Sequence, residues 1–174
     1  MAKANDDRPA WVTEAVRSLR NVKSWTGRIH VHKLLFISKI LGLTEPPFHF
    51  ELYQYGPYSF GLDSVIADME SEGVLSKEYP RAGYGPRYGL APRAKSSLKA
   101  ADIKSLERVA GELQSQNSSD LELIATCLWV ERRENVRDDE KVLGRVREIK
   151  PRYSESEIQE KLLTARAIAR NLQK

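Results

Sequence analysis

Three histidines, one cysteine and a cluster of cations interleaved with tyrosines are the groups in this 174-residue chain that could do chemistry. His30 and His32 are two positions apart, so on a helix they point to different sides and do not share a metal. His49 stands without a neighbouring Cys or Asp, and Cys127 lies inside the apolar run LELIATCLWV, where a thiol is usually a core residue. Gly83 and Gly85 lack both the spacing and the strand-to-helix setting of a phosphate-binding loop. No paired carboxylates or nucleophile–base pair stand out. The expectation is a protein that is not an enzyme, with no catalytic residue, no metal and no cofactor.

The cations offer binding instead. Lys77, Arg81, Arg87, Arg93 and Lys95 crowd a segment in which Glu78 is the only acid, and Tyr79, Tyr84 and Tyr88 alternate with them. Such a surface could grip nucleic-acid phosphates or an acidic protein patch. The segment just before it has the opposite character. Between Ser59 and Glu72 there are four acids, Asp63, Asp68, Glu70 and Glu72, and no Lys or Arg. A helix of that charge is poorly suited to a DNA groove, where like charges would meet. Its Phe60, Ser64, Ala67 and Ser71 fall at i, i+4, i+7 and i+11, a small and nearly uncharged stripe suited to another protein's surface. Tyr55 and Tyr58 flank Gly56-Pro57 beside it and extend the expected partner-binding set.

These residues need elements to hold them. Residues 9–23 read as a helix opened by Pro9, with Trp11, Val12, Ala15, Val16 and Leu19 as its stripe. Arg28–Leu41 reads as a second helix, apolar on most sides and therefore central, with Gly42 to end it. Glu45-Pro46-Pro47 forces extended chain, and the aromatic run 48–55 reads as a short strand or extended segment punctuated by Gly56-Pro57, with Tyr55-Gly56-Pro57 as the turn motif. Leu62, Val65, Ile66 and Met69 give the next helix its buried face, and Gly73 ends it. Segments 74–79 and 87–91 read as a hairpin around a Gly/Pro-rich tip. A helix is expected from Pro92 to Gln114, then a polar break at 114–118, then three helices. Capping-box spacing marks Ser119/Glu122 and Ser154/Glu157.

Composition sets the outer limits. With 41% hydrophobic residues the chain suits one compact domain or a small domain with a helical extension. It carries 28 Lys+Arg against 24 Asp+Glu, a net charge of +4, which permits nucleic-acid contact without demanding it. No apolar run is long enough for a membrane span, and the first eleven residues do not read as a secretory signal. A single cysteine fits a reducing, cytoplasmic setting.

The segments KLLFISKILG, FELYQYGPYSFGLDSVIADMESEGVL and RYGLAPRAKSSL together resemble the Panacea (SocA-like) antitoxin domain and its winged-helix-like relatives, over roughly residues 28–172. The aromatic-x-Tyr-Gly-Pro turn is the most distinctive shared part. Ala91-Pro92 departs from the family pattern, in which a wing strand often runs into Thr, and the helical C-terminal extension is a second departure. The resemblance implies a cytoplasmic protein-binding module that neutralises a toxin by direct contact. The expected fold is mainly α with a small β-hairpin: a winged-helix-like unit over 1–114 and a C-terminal helical extension over 115–174, packed as one unit. A transcriptional regulator that touches DNA through the basic wing is the alternative. Ala165 and Ala169 permit close helix approach, so the last helix is expected to offer either a homodimer contact or a face spent in the chain's own core.

Overall fold

The computed structural model describes residues 6–174, so the reading of the first five residues as part of a non-secretory N-terminus lies outside the described chain. The order is α1 (Arg8–Asn21), α2 (Arg28–Ile40), β1 (Glu51–Tyr53), β2 (Gly56–Tyr58), α3 (Phe60–Ser71), β3 (Leu75–Glu78), β4 (Arg87–Leu90), α4 (Ala100–Leu113), α5 (Ser118–Leu128), α6 (Asp139–Ile149) and α7 (Glu155–Leu172). A π-helical turn, Trp129–Arg133, follows α5 directly. The protein is mainly helical, with two antiparallel hairpins, β1–β2 and β3–β4.

The central position expected of α2 is observed: every residue from His30 to Ser38 is buried. It packs against α1, α4 and α5, and α5 in turn packs on α7. One hydrophobic cluster runs from Trp11 on α1 through Leu34 and Leu35 on α2 to Ile124 on α5 and Leu162 on α7. Burying an apolar side chain of this size contributes roughly 1.5–3 kcal/mol. Residues on both sides of the 114–118 break therefore draw stability from the same core.

Local chemistry explains most boundaries. Ser59 caps α3 by accepting from the Leu62 amide, and Gly42 and Gly73 take positive φ where α2 and α3 stop. The capping box at Ser154/Glu157 is present. The one expected at Ser119/Glu122 is displaced: Asn117 caps α5 and Asp120 reaches back to it, which frees Glu122 for the interior.

Three other expectations are corrected or narrowed. The run 48–55 holds a short strand, β1, over Glu51–Tyr53, but the turn expected at Gly56-Pro57 comes earlier, because β1 turns at once into β2 and pairs Tyr53 with Gly56. Gly56-Pro57 is thus the start of the return strand, and the tight loop is Gln54-Tyr55. The helix expected from Pro92 starts at Ala100 instead. Over 91–99 side chains satisfy the backbone in other ways: Ser96 Oγ accepts from the Leu98 amide, and Arg93 donates to the Glu72 carbonyl. Finally, Ala165 and Ala169 are buried within this chain's own core, so that face of α7 is not open to a second copy.

Candidate functional site

The first hairpin and the start of α3 bring four aromatic residues to one place. Phe60 is 50% exposed and Tyr53 53% exposed, with ring centroids 5.1 Å apart in an edge-on arrangement. Half-buried Tyr58 meets both, at 5.3 Å from Phe60 and 5.8 Å from Tyr53. Tyr55, at the hairpin tip, is 40% exposed. Large apolar groups seldom gather on a surface unless something covers them. Ser64, Ala67 and Ser71 continue this patch along the outer face of α3, and all three are exposed. The helix makes its main contacts with α1 and β3, so the C-terminal helices do not cover the stripe. Tyr53 is the member that sequence reasoning missed. Its signal was the period-two alternation across 51–53, which is readable only once the hairpin register is known.

The electrostatics of α3 differ from a simple count of acids. Arg28 of α2 lies 2.7 Å from Asp63 and 3.7 Å from Glu70, and Lys77 of β3 lies 2.8 Å from Glu70. Burial alone would lower the Arg28 guanidinium, but its hydrogen bond to the Tyr88 hydroxyl, with Asp63 nearby, holds it well above its ordinary value. Two of the four acids are thereby neutralised on the inner side, and Asp68 and Glu72 remain exposed beside the stripe. The expectation of a uniformly acidic helix is corrected to one with an acidic rim.

The basic hairpin is also less free than its sequence suggests. Lys77 is paired with Glu70, Arg87 donates to Glu78 at 2.7 Å, and Arg93 is tied to the Glu72 carbonyl. Arg81 lies over the Tyr84 ring at 5.0 Å. Among the described residues, Arg81 and Lys95 have no carboxylate within ion-pairing distance. Tyr88, expected on the surface with Tyr79 and Tyr84, is a core residue 1% exposed.

Beneath the aromatic patch lies a buried polar pivot. Gly56 has φ +80°, and an added Cβ there would stand 2.9 Å from Thr126 Oγ1 and 3.2 Å from the Glu122 carbonyl oxygen. The hairpin backbone thus lies directly on α5, which only glycine permits. Lys33, fully buried on α2, donates from Nζ to the Pro57 carbonyl at 2.7 Å. Lys150, just after α6, donates to the Gln54 carbonyl at 2.6 Å and stands 2.9 Å from Glu122 Oε1, in ion-pair contact but out of hydrogen-bond alignment. Glu122 Oε2 also accepts from Arg152 and, at 3.2 Å, from the Tyr153 hydroxyl. Two lysines from opposite halves of the chain therefore hold the two ends of the Gln54–Pro57 turn. Sequence reasoning missed this set entirely, since its members lie far apart along the chain.

His32 belongs to the same region. It stacks on Tyr58 at 4.2 Å, with Nδ1 2.9 Å from the Arg28 carbonyl and Nε2 3.1 Å from the Ser59 carbonyl. Cys127 is buried, which pushes its thiol up to about 12 and leaves it unreactive. Among the described residues no cluster of three potential metal ligands occurs, and no helix is long and apolar enough to cross a membrane.

A protein of Bacillus subtilis (strain 168), uncharacterised protein YwgA, is 28% identical over 142 residues, covering 78% of this chain and 82% of its own. No family model matches the chain.

Proposed function

We propose that this protein is a binding module for another protein, acting in the manner its Panacea-type resemblance suggests: an antitoxin that neutralises a toxin by direct contact. The observation that carries this reading is the uncovered surface formed by Tyr53, Tyr55, Tyr58 and Phe60 together with Ser64, Ala67 and Ser71. Rigid aromatics at the centre of a patch are the usual makings of an interface hot spot, and the small residues beside them leave room for a partner to approach closely. The exposed Asp68 and Glu72 select a partner whose apolar ridge is flanked by Lys or Arg. The buried pivot supports the same role, because it presents the hairpin without a large ordering cost on binding.

DNA contact through the second hairpin is the weaker reading. Three of its five cations are engaged within the chain, which leaves Arg81 and Lys95 for phosphates.

The test is co-purification with the small proteins encoded beside this gene in its host. Phe60→Glu and Ala67→Arg should each abolish capture, while an Arg81→Ala/Lys95→Ala double variant should retain it. The opposite pattern, or a duplex-DNA mobility shift that weakens steeply with salt and needs the two cations, would replace this reading with the DNA one.

A further inference from the structure

A second concavity, of about 630 Å³, shares no lining residue with the aromatic patch and lies between the start of α2, the tip of the β3–β4 hairpin and the α4–α5 connection. Its wall carries three cations, Arg28, Lys77 and Arg81, and no carboxylate. Asp63 and Glu70 pair with Arg28 and Lys77 from outside that wall, so of the three cations Arg81 is the one with no carboxylate partner among the described residues. The start of α2 also opens onto the cleft. It has Gly27 at its cap, no side chain accepting from its first amides and no acid in its first turn, so the positive end of a 13-residue helix is left bare.

Two further features make this more than a helix terminus. Trp25 and Tyr84 pack on each other along one side, with centroids 5.8 Å apart and planes tilted by 56°. Gly27 lets the indole lie against the helix start, since a Cβ there would stand 3.0 Å from Trp25 Cδ1 and Nε1. At the floor is His30, 3% exposed, with neither ring nitrogen hydrogen-bonded; it approaches the Gln116 carbonyl without hydrogen-bond geometry. A buried imidazole without partners is an uncompensated cost unless something else completes it.

Bare amides and cations suit an anion. The aromatic wall suits a planar ring, and the volume greatly exceeds what phosphate alone would fill. We propose that this cleft binds a nucleoside phosphate, with the phosphates at the bare start of α2 beside Arg81 and the base against Trp25 and Tyr84. Arg28 stands beside Tyr58 of the proposed docking face, but Arg81 and Tyr84 belong to the cleft alone, so variants at those two positions test this proposal separately from that reading.

The experiment is isothermal titration of the full chain with ATP, adenosine and inorganic phosphate in turn. ATP should bind saturably, and adenosine and phosphate should each bind at least about tenfold more weakly, because each supplies half of the recognition. Arg81→Ala and Tyr84→Ala alter exposed side chains at the hairpin tip and should each weaken ATP about tenfold, with an unchanged circular dichroism spectrum. The absence of saturable heat with ATP, GTP and CTP up to about 1 mM would overturn the proposal. So would phosphate binding as tightly as ATP, or ATP affinity unchanged in both folded variants.

Discussion

Lys33 Nζ donates to the Pro57 carbonyl oxygen at 2.7 Å, and the lysine making this bond is fully buried. A charge in such a place is retained at a cost. Burial pushes the Lys33 ammonium down to about 7, with Glu122 drawing it up and Lys150 pressing it further down. An unfolded lysine titrates near 10.4. Between about pH 7 and pH 10 the unfolded chain therefore holds a proton that the folded chain has lost, and this residue's contribution to stability grows as pH rises through that window. Lys33→Met removes the titration. Wild type should gain on the variant by roughly 2–4 kcal/mol between about pH 6.5 and pH 9.5. Urea unfolding across that range measures it, and a gap constant with pH would count against a depressed Lys33.

Two glycines with nearly the same φ separate packing from strain. Gly56 has φ +80° and Gly83 has φ +79°, but a Cβ at Gly56 collides with Thr126 and Glu122 whereas a Cβ at Gly83 meets nothing within 4 Å. Gly83→Ala should cost about 1 kcal/mol, the left-handed backbone penalty alone. Gly56→Ala should cost roughly 3 kcal/mol or more, because the hairpin must also lift from α5. Thermal melts of the two variants give the comparison. Equal losses would mean that the contact with α5 is not what demands glycine at position 56.

Acid should loosen the joint between α2 and α3. His32 faces two carbonyls with its two ring nitrogens, but a neutral ring has one N–H and can donate to only one of them. Burial nonetheless pushes the ring down to about 4, outweighing the backbone carbonyls that draw it up. The unfolded value is near 6.5, so the unfolded state takes up the proton first, and stability present above about pH 6.5 is lost as pH falls toward 4. His30 is depressed to about 4 as well, by burial. Replacing His32 by Phe should remove roughly 2–3 kcal/mol of this acid sensitivity, leaving the share due to His30. Denaturant midpoints at pH 7, 5.5 and 4.5 would read it; an unchanged pH slope would rule His32 out as a contributor.

Much of the architecture was legible because it is local. Leu62, Val65, Ile66 and Met69 specify the buried face of α3 by spacing alone, and the same spacing leaves Phe60, Ser64, Ala67 and Ser71 outside. Gly42, Gly73, Ser59 and Ser154 mark helix ends through conformations and hydrogen bonds within a few residues of themselves. The helix misplaced at Pro92 shows the limit of such reasoning, since Arg93 is held by the Glu72 carbonyl, twenty-one positions away.

Charge is where sequence and structure part most clearly. Along the chain, α3 is purely acidic and the second hairpin strongly basic; in space, Arg28 and Lys77 cancel half of the first, and Glu70 and Glu78 occupy part of the second. Coulombic partners are chosen by proximity, and proximity between α2, α3 and β3 exists only after packing. The Tyr-Gly-Pro motif follows the same division. Its types alone announce a constrained backbone, by the freedom of glycine and the rigidity of proline. That it is pressed against α5, and held at one end by Lys33 and at the other by Lys150, was decided by tertiary structure, which brought residues 33, 54, 57, 122 and 150 into a single buried network.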